Sequence, residues 1–147
     1  MGNVIKHILH CHPAKLLRTI LLLVAFHSLL IGLALSAQPP VLIRFAGFSL
    51  DGESFFAAQG GAFHILMATA YLMGVFNIEK YYFFIVFSIF VKAGATLFLL
   101  VYCFKVDFKW IILLSGIIDF AMGLMIFLAL QNYLGLQRYH RHRGAHG

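Results

Sequence analysis

Four ionisable side chains, His27, His64, Lys92 and Asp119, each stand near the middle of a different long apolar run. An ionisable group at the centre of a bilayer costs roughly 3 kcal/mol or more unless it finds a partner. Four such residues at one depth therefore point to one shared interior cluster. A lysine and a carboxylate brought together neutralise each other, and imidazoles beside them can accept, donate or relay protons. Two uses of that chemistry follow. The cluster can fix the register of the helices, or it can line a binding site for a quinone, a lipid or a small substrate.

Helical spacing says which neighbours share each face. Asp119 has Ser115 four residues before it, Gly116 three before and Gly123 four after. Lys92 has Ser88 and Thr96 at four residues on either side and Ala95 at three. Both faces are small and polar, the kind that pack against another helix in lipid. They should meet and make Lys92 and Asp119 an ion pair. His64 shares its face with Gly60, Gly61, Ala68 and Tyr71, whereas His27 is flanked by Leu23, Val24, Leu30 and Ile31. The candidate polar cluster is His27, His64, Lys92, Asp119, Ser115 and Tyr71.

Other chemistries find less support. Two mid-span histidines raise haem, but two histidines are no signature, and the bulky residues around His27 leave no slot for a porphyrin. A proton path through the four residues lacks the internal repeats of transporters. The terminal residues His7, His10, Cys11, His12, His140, His142 and His146 match no closed zinc spacing. Cys11 and Cys103 fall on opposite sides of the expected membrane and imply no disulfide. No nucleophile elbow, phosphate loop, metalloprotease helix or dinucleotide fingerprint occurs, so an enzyme has no positive motif.

The elements that must position the cluster are membrane spans. The chain has 147 residues, 62% of them hydrophobic and 11% charged, against roughly 25% charged in soluble domains. A hydrocarbon core of roughly 30 Å needs about 20 apolar residues in helix. Four stretches qualify, at about 16–36, 52–77, 81–104 and 110–133. The first is longer than the apolar core of a cleaved leader. Although Leu33–Ala37 has the small-residue look of a cleavage site, retention is the favoured reading. Short connections then make an all-α, integral membrane, up-down four-helix bundle. Asp51 is the expected cap of the second span, with Glu53 in its first turn. That start puts His64 at mid-helix. Gly60-Gly61 marks a close-packing point or a kink.

Seven basic residues lie on the side of the termini (Lys6, Lys15, Arg18, Lys80, Arg138, Arg141 and Arg143) and three on the other (Arg44, Lys105 and Lys109). The positive-inside rule then puts both termini in the cytoplasm. The net charge of +6 suits anionic lipid headgroups, with no need of nucleic acid. Residues 1–15 read as an amphipathic arm and residues 134–147 as a basic, His-rich, partly disordered cytoplasmic tail. The loop Val41–Leu50 is unusually hydrophobic. It should pack on the bundle or lie in the interface, with Arg44, Phe45 and Phe48 as contacts for another membrane protein.

The run Phe63-His64, the segment Lys92-Ala93-Gly94-Ala95-Thr96, and Leu114-Ser115-Gly116-Ile117-Ile118-Asp119 with Met122-Gly123 resemble the DoxX-like superfamily, BphX-type branch, over roughly residues 16–133. Its members are small four-span bacterial membrane proteins. The resemblance implies a bacterial inner-membrane location and a place near terminal-oxidase or thiosulfate–quinone chemistry. The leading expectation is an accessory subunit of a larger membrane complex, respiratory or otherwise quinone-linked. The alternative is a stand-alone binder or carrier of a small lipophilic molecule that uses the cluster as its pocket.

Overall fold

The computed structural model describes residues 13–48 and 54–144. Five helices follow in order: α1 (Pro13–Ala37), α2 (Pro40–Phe45), α3 (Ser54–Phe76), α4 (Tyr82–Lys105) and α5 (Trp110–Gly144). The four long ones have the length and apolarity to cross a membrane. At 1.5 Å per residue the shortest, α3, is about 35 Å long. This is a multi-pass membrane protein, all-α, with its spans packed as an up-down bundle. The helices close a ring in which α1 packs on α3, α3 on α4, α4 on α5 and α5 back on α1. The α1–α3 and α4–α5 hairpins form the two most extensive interfaces.

The loop expected at Val41–Leu50 contains order that hydropathy alone does not reveal. Gln38 turns the chain out of α1 at φ +47°, and Pro39-Pro40 prevents α1 from continuing. Pro40 then opens α2, where its missing N–H leaves no helical bond unmade. Gly47 at φ +82° closes it, with its N–H donating to the Arg44 carbonyl and the Phe48 N–H to the Ile43 carbonyl. That pair of bonds is a Schellman closure, which needs a left-handed residue where Gly47 stands. The Gln38 side chain also donates to the Ser54 carbonyl at 2.8 Å, tying the end of α1 to the start of α3. The Asp51 cap and the Glu53 first turn lie outside the described residues, as does the arm before Pro13.

The far end of the chain corrects an expectation. The fourth span does not give way to a partly disordered tail after Tyr133; α5 is one helix of 35 residues ending at Gly144. The apolar run stops at Tyr133, but nothing there stops a helix. No proline follows, and Gly135 costs only about 1 kcal/mol relative to alanine. The next turn is also anchored. Gln137 donates to Glu79 at 3.1 Å and to the Tyr133 hydroxyl at 2.6 Å, and Tyr133 donates to Glu79 at 3.3 Å. Glu79 lies in the α3–α4 turn, so these bonds strap that turn to α5.

Packing is uneven along the bundle. The apolar core includes Leu17, Leu21, Tyr71, Ile85, Ile126 and Leu130. All but Ile126, at the middle of α5, sit in the halves of the helices nearest the chain termini. There Gly74 of α3 is so close to α4 and α1 that a Cβ on it would stand 2.9 Å from Ile85 and 3.1 Å from Leu21. In the half nearest α2, the buried residues include Gly32, Gly61, Thr96, Cys103 and Gly116. The contacts of Gly32, Gly61 and Gly116 there stay within one hairpin or the other. Across that end the hairpins are joined by α2 and its flank. Phe45 meets Trp110 edge-on, with ring centroids 5.2 Å apart, and Lys109 Nζ lies 5.2 Å from the Phe48 ring centroid.

Candidate functional site

The polar face of α4 carries Ser88, Lys92 and Thr96, all buried. The two hydroxyls are satisfied by their own helix, Ser88 donating to the Phe84 carbonyl at 2.6 Å and Thr96 to the Lys92 carbonyl at 2.8 Å. This leaves Lys92 as the group that must find a partner elsewhere, and it finds Asp119. Its ammonium donates to Asp119 Oδ1 in an ion pair with only 3% of Lys92 and 7% of Asp119 exposed. The approach depends on Gly123, because a Cβ at that position would sit 3.0 Å from Lys92 Cβ. The expected meeting of the two small-residue faces is what the structure contains. Lys92 Nζ also stands 5.9 Å from the centroid of the buried Tyr71 ring, at the outer reach of a cation–π contact. Lys92 thus links α4 to both α5 and α3.

His64 lies near the middle of α3, half-buried, and its partner is Ser28 of α1. Ser28 Oγ is 3.2 Å from His64 Nδ1 and 3.0 Å from the His64 carbonyl oxygen. Ser28 is buried. Residue-by-residue reading of the spans overlooked it because a serine raises no alarm in an apolar run. One signal was available: Ser28, Gly32 and Ser36 recur at four-residue intervals, a small-residue seam of the kind that lets helix backbones approach. The seam meets Gly61 of α3. A Cβ on Gly61 would stand 2.7 Å from the Gly32 carbonyl and would overlap Ser36 Oγ. Of the two glycines, Gly61 is the close-packing point; a Cβ on Gly60 would make ordinary contact, 3.8 Å from Leu35.

His27 is half-buried and adjacent in sequence to Ser28. The structure joins Lys92 to Asp119 and places Tyr71 beside them, pairs His64 with Ser28 between α1 and α3, and leaves His27 next to that second pair along α1. Ser115 is half-buried one turn from Asp119, but the Asp119 carboxylate pairs with Lys92 rather than with it. Arg44, Phe45 and Phe48 form a separate group at the α2 end, exposed apart from their contacts with Trp110 and Lys109.

Chemically, the arrangement is a neutralised ion pair beside an aromatic ring, with a hydrogen-bonded imidazole on the α1–α3 side. A shallow groove between α4 and α5, walled by Ile89, Ala93, Phe120 and Phe127, reaches the edge of Asp119 from the bilayer side. Among the described residues, no group of three or more His, Cys, Asp or Glu side chains is placed to hold a metal ion. No protein-family model, curated protein or solved structure matches the chain. Its architecture alone characterises it: a four-span helical membrane protein whose two hairpins enclose a polar middle.

Proposed function

We propose that this chain is an accessory subunit of a larger membrane complex, of the respiratory or quinone-linked kind suggested by its resemblance to DoxX-like proteins. The observation that carries the proposal is α2. This short helix opens on a proline and closes on a Schellman turn, yet it leaves Val41 77% and Phe45 67% exposed beside Arg44. An ordered apolar helix with a cationic edge, held outside the four spans, supports docking against a neighbouring membrane protein. The excess of basic residues at the other end supports cytoplasmic termini, and the resemblance supports a bacterial inner membrane. Mild-detergent extraction followed by native mass measurement tests the proposal. A stoichiometric assembly should appear with the wild-type chain and be lost in V41N, which touches none of the contacts that hold α2 to α5. An assembly unaffected by V41N, or a chain with no protein partner, would overturn it.

A second reading is favoured by the uneven packing. A stand-alone binder of a small lipophilic molecule needs polar groups at the middle of the span and space beside them. The polar cluster lies near the middle of the spans, where the apolar core towards the termini gives way to glycine contacts made within each hairpin. Co-purification of a small molecule with a partner-free chain is the outcome that would place this reading first.

A further inference from the structure

The two contacts of Ser28 decide the state of His64. A hydroxyl has one proton to give, and a carbonyl oxygen can only accept. Ser28 Oγ stands 3.0 Å from the His64 carbonyl. Without a proton between them, those oxygens would repel each other, so the Ser28 proton is committed there. The second contact, 3.2 Å to His64 Nδ1, must then run the other way, with Nδ1–H donating to Ser28 Oγ. In a low-dielectric span the uncharged imidazole is the less costly form. An uncharged ring protonated at Nδ1 keeps a bare lone pair on Nε2. Among the described residues no side chain donates to that nitrogen, and it is not sealed from its surroundings.

We infer that His64 Nε2 is the hydrogen-bond acceptor of a mid-span binding site for a lipophilic molecule carrying a hydroxyl donor, with Ser28 as the residue that fixes the acceptor tautomer. The inference rests on the second reading above and deepens it by naming the chemistry of the ligand's polar end. Three features of the surroundings agree. The Lys92–Asp119 pair is already closed on itself and does not compete for the ligand's polar end. Hydroxyl donors that partition into lipid, such as phenols, hydroquinones and long-chain alcohols, are neutral and bring no uncompensated charge to the mid-span region. His64 is half-buried rather than enclosed, so a ligand's polar end can reach it from the side of the bundle.

The test uses the full chain in lipid nanodiscs, with histidine labelled by 15N in the ring, and 4-nonylphenol as the probe. The His64 resonances are assigned by their loss in H64Q. The free protein should show a protonated Nδ1 and an unprotonated Nε2 at His64. The phenol should move the Nε2 resonance saturably, and its methyl ether, equally apolar but without the donor, should not. S28A removes the group that holds the tautomer and should weaken the phenol by about tenfold, the scale of one net hydrogen bond. The ether comparison needs no variant, so an S28A chain that fails to fold leaves the test intact. A proton on Nε2 in the free protein, or the same response to phenol and ether, overturns the inference. If a lipophilic molecule co-purifies with the chain while the phenol leaves Nε2 unmoved, the hydroxyl-donor assignment falls and the binder reading stands. If nothing co-purifies and no probe binds, both fall.

Discussion

The α1–α3 and α4–α5 hairpins solve one problem by opposite means. Lipid offers no hydrophobic force to press two apolar helices together, so packing and polar bonds must do it. In α1–α3 the helices approach until backbone meets backbone, with Gly61 lying against the Gly32 carbonyl and Ser36. The polar bond there, Ser28 to His64, joins a hydroxyl and an imidazole, with no oppositely charged pair. In α4–α5 the decisive contact is the charged pair of Lys92 and Asp119, and Gly123 serves to let the lysine stem pass. Shape holds the first hairpin, and charge neutralisation holds the second. The first should tolerate loss of its polar bond better than added bulk. The second should tolerate removal of both charges far better than removal of one.

The largest effect expected from that contrast is in α4–α5. K92L or D119L alone leaves an uncompensated buried charge and should cost about 3–5 kcal/mol, the usual scale for breaking a buried pair. The double variant K92L/D119L should recover most of the loss. Unfolding of the purified protein by increasing SDS would measure all three, and a double variant no better than either single would break the comparison. Next in size is G61A. Its Cβ would press on the Gly32 carbonyl and Ser36, and overpacking of this kind costs about 1–3 kcal/mol. Its control is G94A, where an added Cβ meets nothing within 4 Å and the gain in helix propensity is up to about 1 kcal/mol. Equal stabilities for G61A and G94A would show that backbone approach does not hold α1 to α3. The smallest effect lies outside both hairpin cores. E79Q with Y133F weakens the strap between the α3–α4 turn and α5, at about 0.5–1.5 kcal/mol per hydrogen bond lost. Its readout is faster amide exchange confined to residues 134–144, and unchanged exchange there would mean the extension of α5 holds itself.

Much of the mid-span site was legible in the chain. A charge in an apolar run is conspicuous at any position, and the four-residue spacing of Ser88, Lys92 and Thr96 told which side of α4 was polar. The pairing of Lys92 with Asp119 followed from those two facts. Ser28 was not legible in the same way, because its importance comes from the histidine it faces. Nor was α2: its opening proline and closing glycine are helix punctuation, but an apolar stretch beside Pro39-Pro40 reads as a loop when only hydropathy is weighed. The extension of α5 was hidden for the converse reason. Hydrophobicity ends at the membrane surface, whereas a helix ends where its backbone bonds fail, and here the Glu79 strap carries it onward.

What the sequence by itself determined is the set of features whose cost is local. Every buried polar backbone group in lipid must be bonded within its own segment, which leaves helices for the spans. Every buried charge must be cancelled, which leaves Asp119 for Lys92. The tertiary structure alone decided which face of α1 meets α3, and so which hydroxyl reaches His64. It also decided that the largest buried apolar cluster would gather towards the termini, with the glycine contacts of the other half made within each hairpin. Those outcomes depend on the rotation of each helix about its axis. That rotation is set by a sum of small van der Waals contacts between partners far apart in the chain, and no single residue announces it.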